Sequence, residues 1–314
     1  MLEDILSSCK FVSKNSKHVK INHDKVDEIA ESLDVTNNKH WLEIFPFGIL
    51  DFDVESIVNF LLVYHSIGFS FWGTPKWTIK TENEEFDGSF AMMYRLTNEL
   101  KDNKDFFSAS YLKDMPFEKI KNLLEGNVEI PLLKERHNNL INIGRVIEQN
   151  MKGNFYNFVK DVYSDIELFN IIVNNFSEVF NDIAIYNGKE IPFYKLAQLL
   201  VSDILHARKL KEKVEVDYSN LVGCADYKVP QVLRSLEVLE YNKELSDLID
   251  NKKEIESGSD YEIEIRANMI VAVNEINKRV KNTCPIEVND LIWLKGQEKN
   301  GNIKPYHLTR TRFY

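Results

Sequence analysis

The chain is poor in the residues that build disulfide scaffolds, zinc clusters and long loops. Only three of its 314 residues are cysteines, at positions 9, 224 and 284, and no two of them form a C-x-x-C pair. An odd, dispersed set of cysteines disfavours a disulfide framework or a cysteine zinc site and indicates a reducing compartment, so we expect a cytoplasmic protein. The 12 glycines and 8 prolines are also few, which suits a mostly helical chain with short connections.

The signature motifs of several enzyme classes are missing. The sequence has no G-x-x-x-x-G-K-[ST] or G-x-G-x-x-G loop, no G-x-S-x-G turn and no H-E-x-x-H helix. None of its seven histidines pairs with another at the i+3 or i+4 spacing that places two ligands on one helix face. A metal enzyme, an NTPase and a serine hydrolase are therefore poorly supported.

Long apolar runs and an excess of positive charge are absent as well. The apolar stretch 57–72 is interrupted by polar residues and is too short to span a bilayer, and the first twenty residues lack the apolar region of a secretory signal. The formal net charge of −10 disfavours a nucleic-acid polymer as partner, although a local basic cluster still allows a small anionic ligand. We expect a monomer that binds neither a membrane nor a nucleic-acid polymer.

The composition provides ample material for a helical core. Apolar residues make up 44% of the chain and charged residues 28%, as in a folded globular protein. The length allows one large domain or two smaller ones, and no internal repeat or long linker divides the chain. We expect a single compact, mainly α domain over residues 1–314. Hydrophobic periodicity predicts helices at 24–33, 53–65, 155–180, after Pro192, 229–240, 262–281 and 288–295, and one small β-hairpin with a turn at Asn83.

An aspartate stands just before one of these helices, in the stretch LVGCADYKVPQVLRSL (221–236). Pro230 suits the first turn of a helix, so Asp226 lies near the positive end of the helix dipole. Backbone N–H groups, the dipole and Lys228 favour an ionised carboxylate, which stabilises positive charge and is poorly suited to donating a proton. The position also fits an Asx-type turn or an auxiliary cap, and spacing alone does not decide between these roles.

Six blocks of sequence resemble, in order, the queuosine salvage proteins, which are queuosine 5′-phosphate N-glycosylases. CADYKVPQVLRSLEVLEY (224–241) resembles the family's F-A-D-Y-R-V-P-Q pattern, and GFSFW (68–72) with FDGSFAM (86–92) resembles its N-F-x-F-W and Y-x-G-Y-W-A blocks. IPLLKERHNNL, FYKLAQLLVSDI, EIEIRA and PYHLTRTRFY resemble four further blocks. The six together cover nearly the whole chain.

The resemblance implies a fold similar to helix-hairpin-helix DNA glycosylases and the hydrolysis of queuosine 5′-monophosphate to queuine and ribose 5-phosphate, for return of queuine to tRNA. It implies no metal and no organic cofactor. The family's catalytic acid matches Asp226. Cleavage of an N-glycosidic bond builds positive charge on the ribose, which an ionised carboxylate stabilises or captures as a nucleophile.

Other site residues follow from the resemblance. Lys195 and Asp203, on one predicted helix, are expected near the substrate, although an exposed lysine and a structural acid fit equally. Tyr227 and Lys228 flank the acid and are expected to orient it, with Tyr227 equally suited to the core.

Trp293, with Asn289 and Asp290 before it, resembles the family's base-contacting D-x-x-L-W segment. Trp72 is a candidate for stacking on the base, although Phe71 and Trp72 both fit the core better.

Two charged clusters have structural as well as functional interpretations. The tail residues His307, Arg310 and Arg312 offer donors for a phosphate, which arginine grips with two hydrogen bonds, but a solvated charge run fits equally. The E-x-E-x-R pattern of Glu262, Glu264 and Arg266 predicts an internal ion-pair network.

The chain departs from the family pattern at positions that bear on its substrate. Cys224 replaces an aromatic residue two positions before Asp226, and Phe45 replaces a histidine four positions after Trp41. The tryptophan-linked aspartate corresponds to Asn289 or, slipped by one, to Asp290. These changes keep open a second function, a non-catalytic helical module that binds a nucleotide or a protein. A DNA glycosylase is disfavoured by the net charge.

Overall fold

Helices dominate the backbone of the computed structural model, which describes residues 1–35, 39–44, 47–297 and 303–314. The helices of these residues, named α1 to α16 in chain order, are Leu2–Asn15, His23–Ser32, Trp41–Ile44, Val54–Ile67, Gly88–Asp102, Ala109–Leu112, Phe117–Leu123, Leu133–Asn150, Phe155–Val159, Asp165–Asn175, Ser177–Phe180, Lys195–Glu212, Lys228–Ser235, Lys243–Asp250, Asp260–Asn277 and Pro285–Lys295. Two 3₁₀ turns are Ile49–Asp51 and Lys104–Phe107.

The strands of the described residues are short and pair two by two. They are β1 (Val19–Ile21), β2 (Thr78–Lys80), β3 (Glu85–Asp87), β4 (Ile183–Tyr186), β5 (Lys189–Pro192) and β6 (Leu239–Tyr241). β2 and β3 form the predicted hairpin, with Ile79 opposite Phe86. The prediction of a mainly α fold is therefore confirmed.

The prediction of only one hairpin is wrong, because two further sheets occur. β4 and β5 form a second hairpin around Asn187 and Gly188, which both adopt positive φ values as a tight two-residue turn requires. β1 pairs with β6, with Val19 opposite Tyr241. That third sheet joins segments far apart in the sequence, so no local sequence pattern predicts it.

Two predicted helices differ in extent. The predicted helix 229–240 ends at Ser235, where the Val238 N–H donates to the Leu233 carbonyl and Glu237 takes a positive φ of 59°. This left-handed cap turns the chain into β6. The apolar region 155–180, predicted to be helical, is divided into the three short helices α9, α10 and α11. Asn154 and Ser164 side chains cap α9 and α10 and so interrupt the run.

α15 lies at the centre of the core and is buried at every position from Glu262 to Asn274. The predicted ion-pair network on this helix is confirmed for Glu262 and Arg266, which lie 3.1 Å apart. Glu264 contributes elsewhere, because it accepts the N–H groups of residues 17–19 and the Tyr186 hydroxyl. α1 packs along α15 on this side, and α4 packs on α12.

No helix in the described ranges is long and apolar enough to cross a bilayer. That the chain forms one domain over residues 1–314, and that its fold is similar to helix-hairpin-helix DNA glycosylases, stay predictions.

Candidate active site

A cavity of about 310 Å³ opens between α4, α12, α16 and the loop that leads into α13. Its size is at the lower end of the range for small-molecule sites. Its polar and charged wall includes Lys76, Asp87, Ser89, Lys195, Asp226, Lys228, Asn289 and Asp290. Its aromatic wall includes Trp41, Tyr64, Phe71, Phe90, Tyr227, Trp293, Tyr306 and Tyr314. Aromatic faces with several convergent charges suit a flat, polar ligand.

Most of the residues singled out from the sequence meet at this cavity. Those on its wall are Lys195, Cys224, Asp226, Tyr227, Lys228, Asn289, Asp290 and Trp293. Asp203, Trp72, His307 and Arg310 are not among the lining residues. Phe45 lies outside the described residues.

Asp226 is both a helix cap and part of the cavity wall. Its Oδ1 atom accepts the backbone N–H of Lys228 at 2.8 Å and of Val229 at 2.9 Å, in the first turn of α13. These are two of the N–H groups that a helix start leaves without an internal partner. Both bonds end on Oδ1, and within the described residues no hydrogen bond reaches Oδ2. The structural and functional interpretations of this residue are therefore compatible.

The loop before Asp226 is fixed by side chains from two helices. Gln198 of α12 donates to the Gly223 carbonyl, and Asn289 of α16 accepts the Cys224 N–H at 3.0 Å. Gly223 adopts a φ of +117°, which favours glycine. Asn289, predicted as a substrate contact, thus lines the cavity while using its carbonyl oxygen to hold this loop.

Burial raises the pKa of the Asp226 carboxyl, against the opposing effects of Lys195, the two N–H groups and the Lys228 charge. The sequence indicated the groups that favour the ionised form but not the depth of burial, since Asp226 is 8% exposed. Lys195, also on the wall, gives the largest of the opposing effects. The carboxylate and the ammonium group thus form the charged centre of the cavity.

Asp290 carries a second carboxyl group in a different environment. It lies inside α16 rather than at a helix start, and its Oδ1 atom accepts one N–H from Asn289 at 3.1 Å. Burial raises its pKa to about 8, and the nearby Asp203 carboxyl adds to the rise. At neutral pH Asp290 is therefore mainly a protonated acid that faces the cavity.

Asp203 lies behind the wall in a closed polar cluster. Its Oδ1 atom accepts the Trp41 indole N–H at 2.8 Å, and its Oδ2 atom lies 2.5 Å from His65 Nε2. His40 Nε2 lies 3.3 Å from Asp203 and 3.8 Å from Asp290. Burial raises the pKa of Asp203 and lowers the pKa values of His65 and His40. Asp203 therefore supports Trp41 and His65, which themselves line the cavity.

Two lysines lie at one side of the cavity. Lys228 lies 5.4 Å from the centre of the Tyr306 ring, and Lys76 pairs with Asp87 at 2.6 Å. Burial lowers the pKa of Lys228 and the charge of Lys76 lowers it further, whereas Asp226 and Asp87 act in the opposite direction. Two lysines on one wall of a cavity offer positive charge to an anion, although Asp87 already pairs with one of them.

The basic residues of the tail take other positions. The Arg310 guanidinium stacks on the Trp72 ring at 3.6 Å and donates to the Trp72 carbonyl. His307 is buried at 3.3 Å from the Tyr314 hydroxyl, and burial, followed by the charge of Arg266, lowers its pKa to about 3. Arg312 is exposed. The tail instead supplies Tyr306 and Tyr314 to the cavity wall.

Sequence inspection missed several wall residues, namely Trp41, Tyr64, His65, Lys76, Asp87, Tyr306 and Tyr314. The two tyrosines belong to the tail block PYHLTRTRFY, whose charged residues drew attention first. In residues 1–35, 39–44, 47–297 and 303–314, no group of three or more His, Cys, Asp or Glu side chains is placed to hold a metal ion. The chemistry on the wall is that of carboxyl, ammonium and aromatic groups.

Comparison with known proteins adds an independent finding. The family model described as queuosine salvage protein matches residues 50–314. Queuosine 5′-phosphate N-glycosylase/hydrolase of Sphaerobacter thermophilus is 33% identical over 99% of this chain and 97% of its own. Proteins of the same name from Dictyostelium discoideum and Mus musculus are 30% and 28% identical, over 97% and 98% of this chain and 96% and 97% of theirs.

Proposed function

The chain belongs to the queuosine salvage protein family, and we propose that it is a hydrolase that splits queuosine 5′-phosphate into queuine and ribose 5-phosphate. The observation that carries the proposal is the position of Asp226. This carboxylate is held at the start of α13 by two backbone N–H groups and lines an aromatic cavity together with Lys195. The near full-length similarity to relatives named for this activity supports the same conclusion.

In the proposed reaction, Asp226 faces the anomeric carbon of the ribose. As the N-glycosidic bond breaks, the sugar gains positive charge, which the fixed carboxylate stabilises without having to reorganise. Water supplies the hydroxyl group that ends on this carbon, either directly or after a covalent sugar–Asp226 intermediate. Lys195 and the α13 amides favour the ionised form of Asp226 on which both routes depend.

The leaving base sets a second requirement. Queuine is a 7-deazapurine and has no N7 that a protein acid could protonate, so the electron pair of the broken bond must spread into the rest of the ring. A protonated Asp290 donates a hydrogen bond to the base and stabilises this charge. Aromatic residues of the wall, such as Trp293, offer faces on which the base stacks.

We assign the 5′-phosphate to the pair Lys76 and Lys228 rather than to the basic tail. Both lysines line the cavity, whereas Arg310 is stacked on Trp72 and His307 is buried against Tyr314. A phosphate dianion beside the two lysines opposes the effects of burial and of the Lys76 charge, which both lower the pKa of Lys228. Tyr306, next to Lys228, adds a hydroxyl group to the same region.

The cellular setting is part of the proposal. We infer a cytoplasmic, monomeric enzyme that acts on a free nucleotide rather than on a nucleic-acid polymer and needs no cofactor. The net charge of −10 and the three buried, unpaired cysteines support this setting. Light scattering of the purified chain measures the oligomeric state.

The test is to incubate the purified chain with queuosine 5′-phosphate and to follow free queuine by chromatography. We expect release of queuine by the natural chain, loss of release in Asp226→Asn, and full release in the control Asp247→Asn, an exposed surface aspartate on α14. Tight binding of the nucleotide without release of queuine by the natural chain would instead identify a binding module.

A further inference from the structure

Arg266 is a buried cation that does not line the cavity. It lies on α15, is 2% exposed, and is sandwiched between the rings of Phe193 and Tyr314, at 4.0 Å and 4.4 Å from the two ring centres. A guanidinium group in such a place needs anionic and carbonyl partners for its donors. The partners it has connect it to two different parts of the cavity wall.

One side of the guanidinium holds the loop that carries Asp226. Arg266 Nε donates to the carbonyl oxygen of Ala225 at 3.1 Å. Ala225 is the residue directly before Asp226, and the Asp226 N–H in turn donates to the Cys224 carbonyl at 2.9 Å. A shift of the Ala225 carbonyl would therefore move the Asp226 backbone and change the angle at which its carboxylate reaches the α13 amides.

The other side holds the start of the helix that carries Lys195. Arg266 Nη1 and Nη2 donate to the two oxygens of Asp182 at 3.0 Å and 2.5 Å. Asp182 Oδ2 accepts the Lys195 N–H at 3.2 Å, and the Asp182 carbonyl accepts the N–H of Phe193 and Tyr194. α12 has no side-chain cap from its own N-cap residue, Tyr194, whose φ is +47°. Asp182 replaces that cap from a distant segment.

We propose that Arg266 is a positioning residue that sets the separation of the Asp226 carboxylate from the Lys195 ammonium group by bridging Ala225 and Asp182. The inference rests on the proposed function, because it is the pairing of these two charges that keeps Asp226 ready to stabilise a cationic ribose. Arg266 itself is not among the residues that line the cavity.

The chemistry of the guanidinium group explains why arginine serves here. Its planar fork reaches Ala225, Asp182 and Glu262 at once, whereas the single nitrogen of lysine has no comparable geometry. Burial alone would lower the pKa of Arg266, but Asp182 and Glu262 outweigh burial and raise it. The bridging guanidinium group is therefore charged at neutral pH.

The experiment compares Arg266→Lys with Arg208→Lys. Arg208 is a matched control because it is also buried, pairs with Glu212 at 2.8 Å and donates to backbone carbonyls, but does not line the cavity. We expect Arg266→Lys to lower kcat about 100-fold with KM changed less than about threefold, because misplacement of a catalytic group by about 1 Å has effects of this size. The acidic limb of the kcat/KM profile should move to higher pH, since the carboxylate loses amide and lysine support.

Arg208→Lys should lower the melting temperature and leave both the kcat and the acidic limb unchanged. Equal losses of thermal stability in the two variants, with the acidic limb of Arg266→Lys unmoved, would overturn the proposal. If Arg266→Lys does not fold, Asp182→Asn is the second variant. It keeps the shape of the bridge, weakens the arm from Arg266 to the start of α12 and should lower kcat about tenfold.

A readout without turnover separates this inference from the proposed function. Carbon-13 NMR of aspartate-labelled protein follows the Asp226 carboxyl, identified by its loss in Asp226→Asn. A rise of its pKa in Arg266→Lys but not in Arg208→Lys supports the positioning role even if queuosine 5′-phosphate proves not to be the substrate. An unchanged Asp226 pKa in Arg266→Lys would sink it even if hydrolysis is confirmed.

Discussion

Asp226 and Asp290 are two aspartates on the wall of one cavity, and the protein surrounds them in opposite ways. Asp226 lies at the start of α13, where free backbone N–H groups and two lysines oppose the effect of burial. Asp290 lies in the interior of α16, where the helix uses its own N–H groups; burial raises its pKa, and another carboxyl group, that of Asp203, raises it further. The pKa is raised at both positions, but the α13 amides and two lysines oppose the rise at Asp226, so the proposed function gives the ionised role to Asp226 and the protonated role to Asp290.

The difference teaches that position within a helix is itself a means of setting a pKa. A helix start supplies donors that stabilise an anion, and a helix interior supplies none. When the pKa values of two acids in one site are made to differ in this way, the ionised acid can stabilise positive charge and the protonated acid can donate a proton or a hydrogen bond.

Removal of the charge at Asp226 should have the largest effect. We expect Asp226→Asn to lower kcat by about 1,000-fold or more, because electrostatic stabilisation of the ribose cation is lost while the shape of the site is kept. Calorimetry should show that the variant still binds queuosine 5′-phosphate, since the lysines and aromatic rings are intact. A variant that keeps more than a tenth of the natural kcat would remove Asp226 from the proposed role.

Removal of the proton at Asp290 should have the second-largest effect. We expect Asp290→Asn to lower kcat about 100-fold, as for loss of a general acid, and to change the pH profile. In the natural enzyme kcat should fall as pH rises past about 8, because Asp290 then loses its proton. Steady-state kinetics from pH 5 to 10 measure the acidic and the basic limb of the kcat profile. A basic limb that persists near pH 8 in Asp290→Asn would assign it to another group.

The phosphate assignment predicts a smaller, substrate-dependent effect. Lys228→Met keeps the length of the side chain and removes its charge, so KM for queuosine 5′-phosphate should rise about tenfold. For queuosine without its phosphate, KM should stay nearly unchanged. Arg310→Met is the matched comparison in the tail, and we expect it to leave both KM values close to those of the natural chain. A raised KM for queuosine 5′-phosphate in Arg310→Met, with KM unchanged in Lys228→Met, would assign phosphate binding to the tail instead.

The smallest predicted effect is on the stability of Asp290→Asn. This variant should be less active than the natural chain but more stable. The folded-state pKa of Asp290 is raised to about 8, so its ionisation favours unfolding progressively as pH rises from about 4 to about 8. Asp290→Asn removes this destabilisation and should raise the free energy of unfolding by about 1 kcal/mol above pH 8. The gain is smaller than the full pKa shift implies, because the site relaxes around the ionised carboxylate. Melting temperatures at pH 4 and pH 8.5 test it, with a difference expected only at the higher pH.

The sequence predicted the mainly α fold and the position of Asp226 near the start of a helix. Asp226 was recognisable because Pro230 and the apolar pattern after it mark where a helix begins, and the start of a helix is a local property. The loop residues Cys224, Tyr227 and Lys228 follow from the same stretch. Lys195 and Trp293 came from family resemblance, and the structure places both at the cavity.

Long-range neighbours could not be predicted from local patterns. His65 meets Asp203 across 138 positions, and Trp41 meets the same carboxyl group across 162. The place of the tail arginines was equally hidden, because an arginine suits a phosphate and the face of an aromatic ring equally well, and Arg310 stacks on Trp72. Arg312, two residues further on, is exposed.

The pairing of β1 with β6 has a consequence for biosynthesis. Val19 meets Tyr241, and the neighbouring residues Lys17 to Val19 are held by Glu264 of α15. A nascent chain emerging from the ribosome therefore carries an amino-terminal segment without its partners until Tyr241 of β6, and then Glu264, which is 245 positions after Val19, have been translated. Contacts of such long sequence separation form slowly. We expect ribosome-bound chains that stop before α15 to be readily digested by protease, whereas released full-length chains resist it.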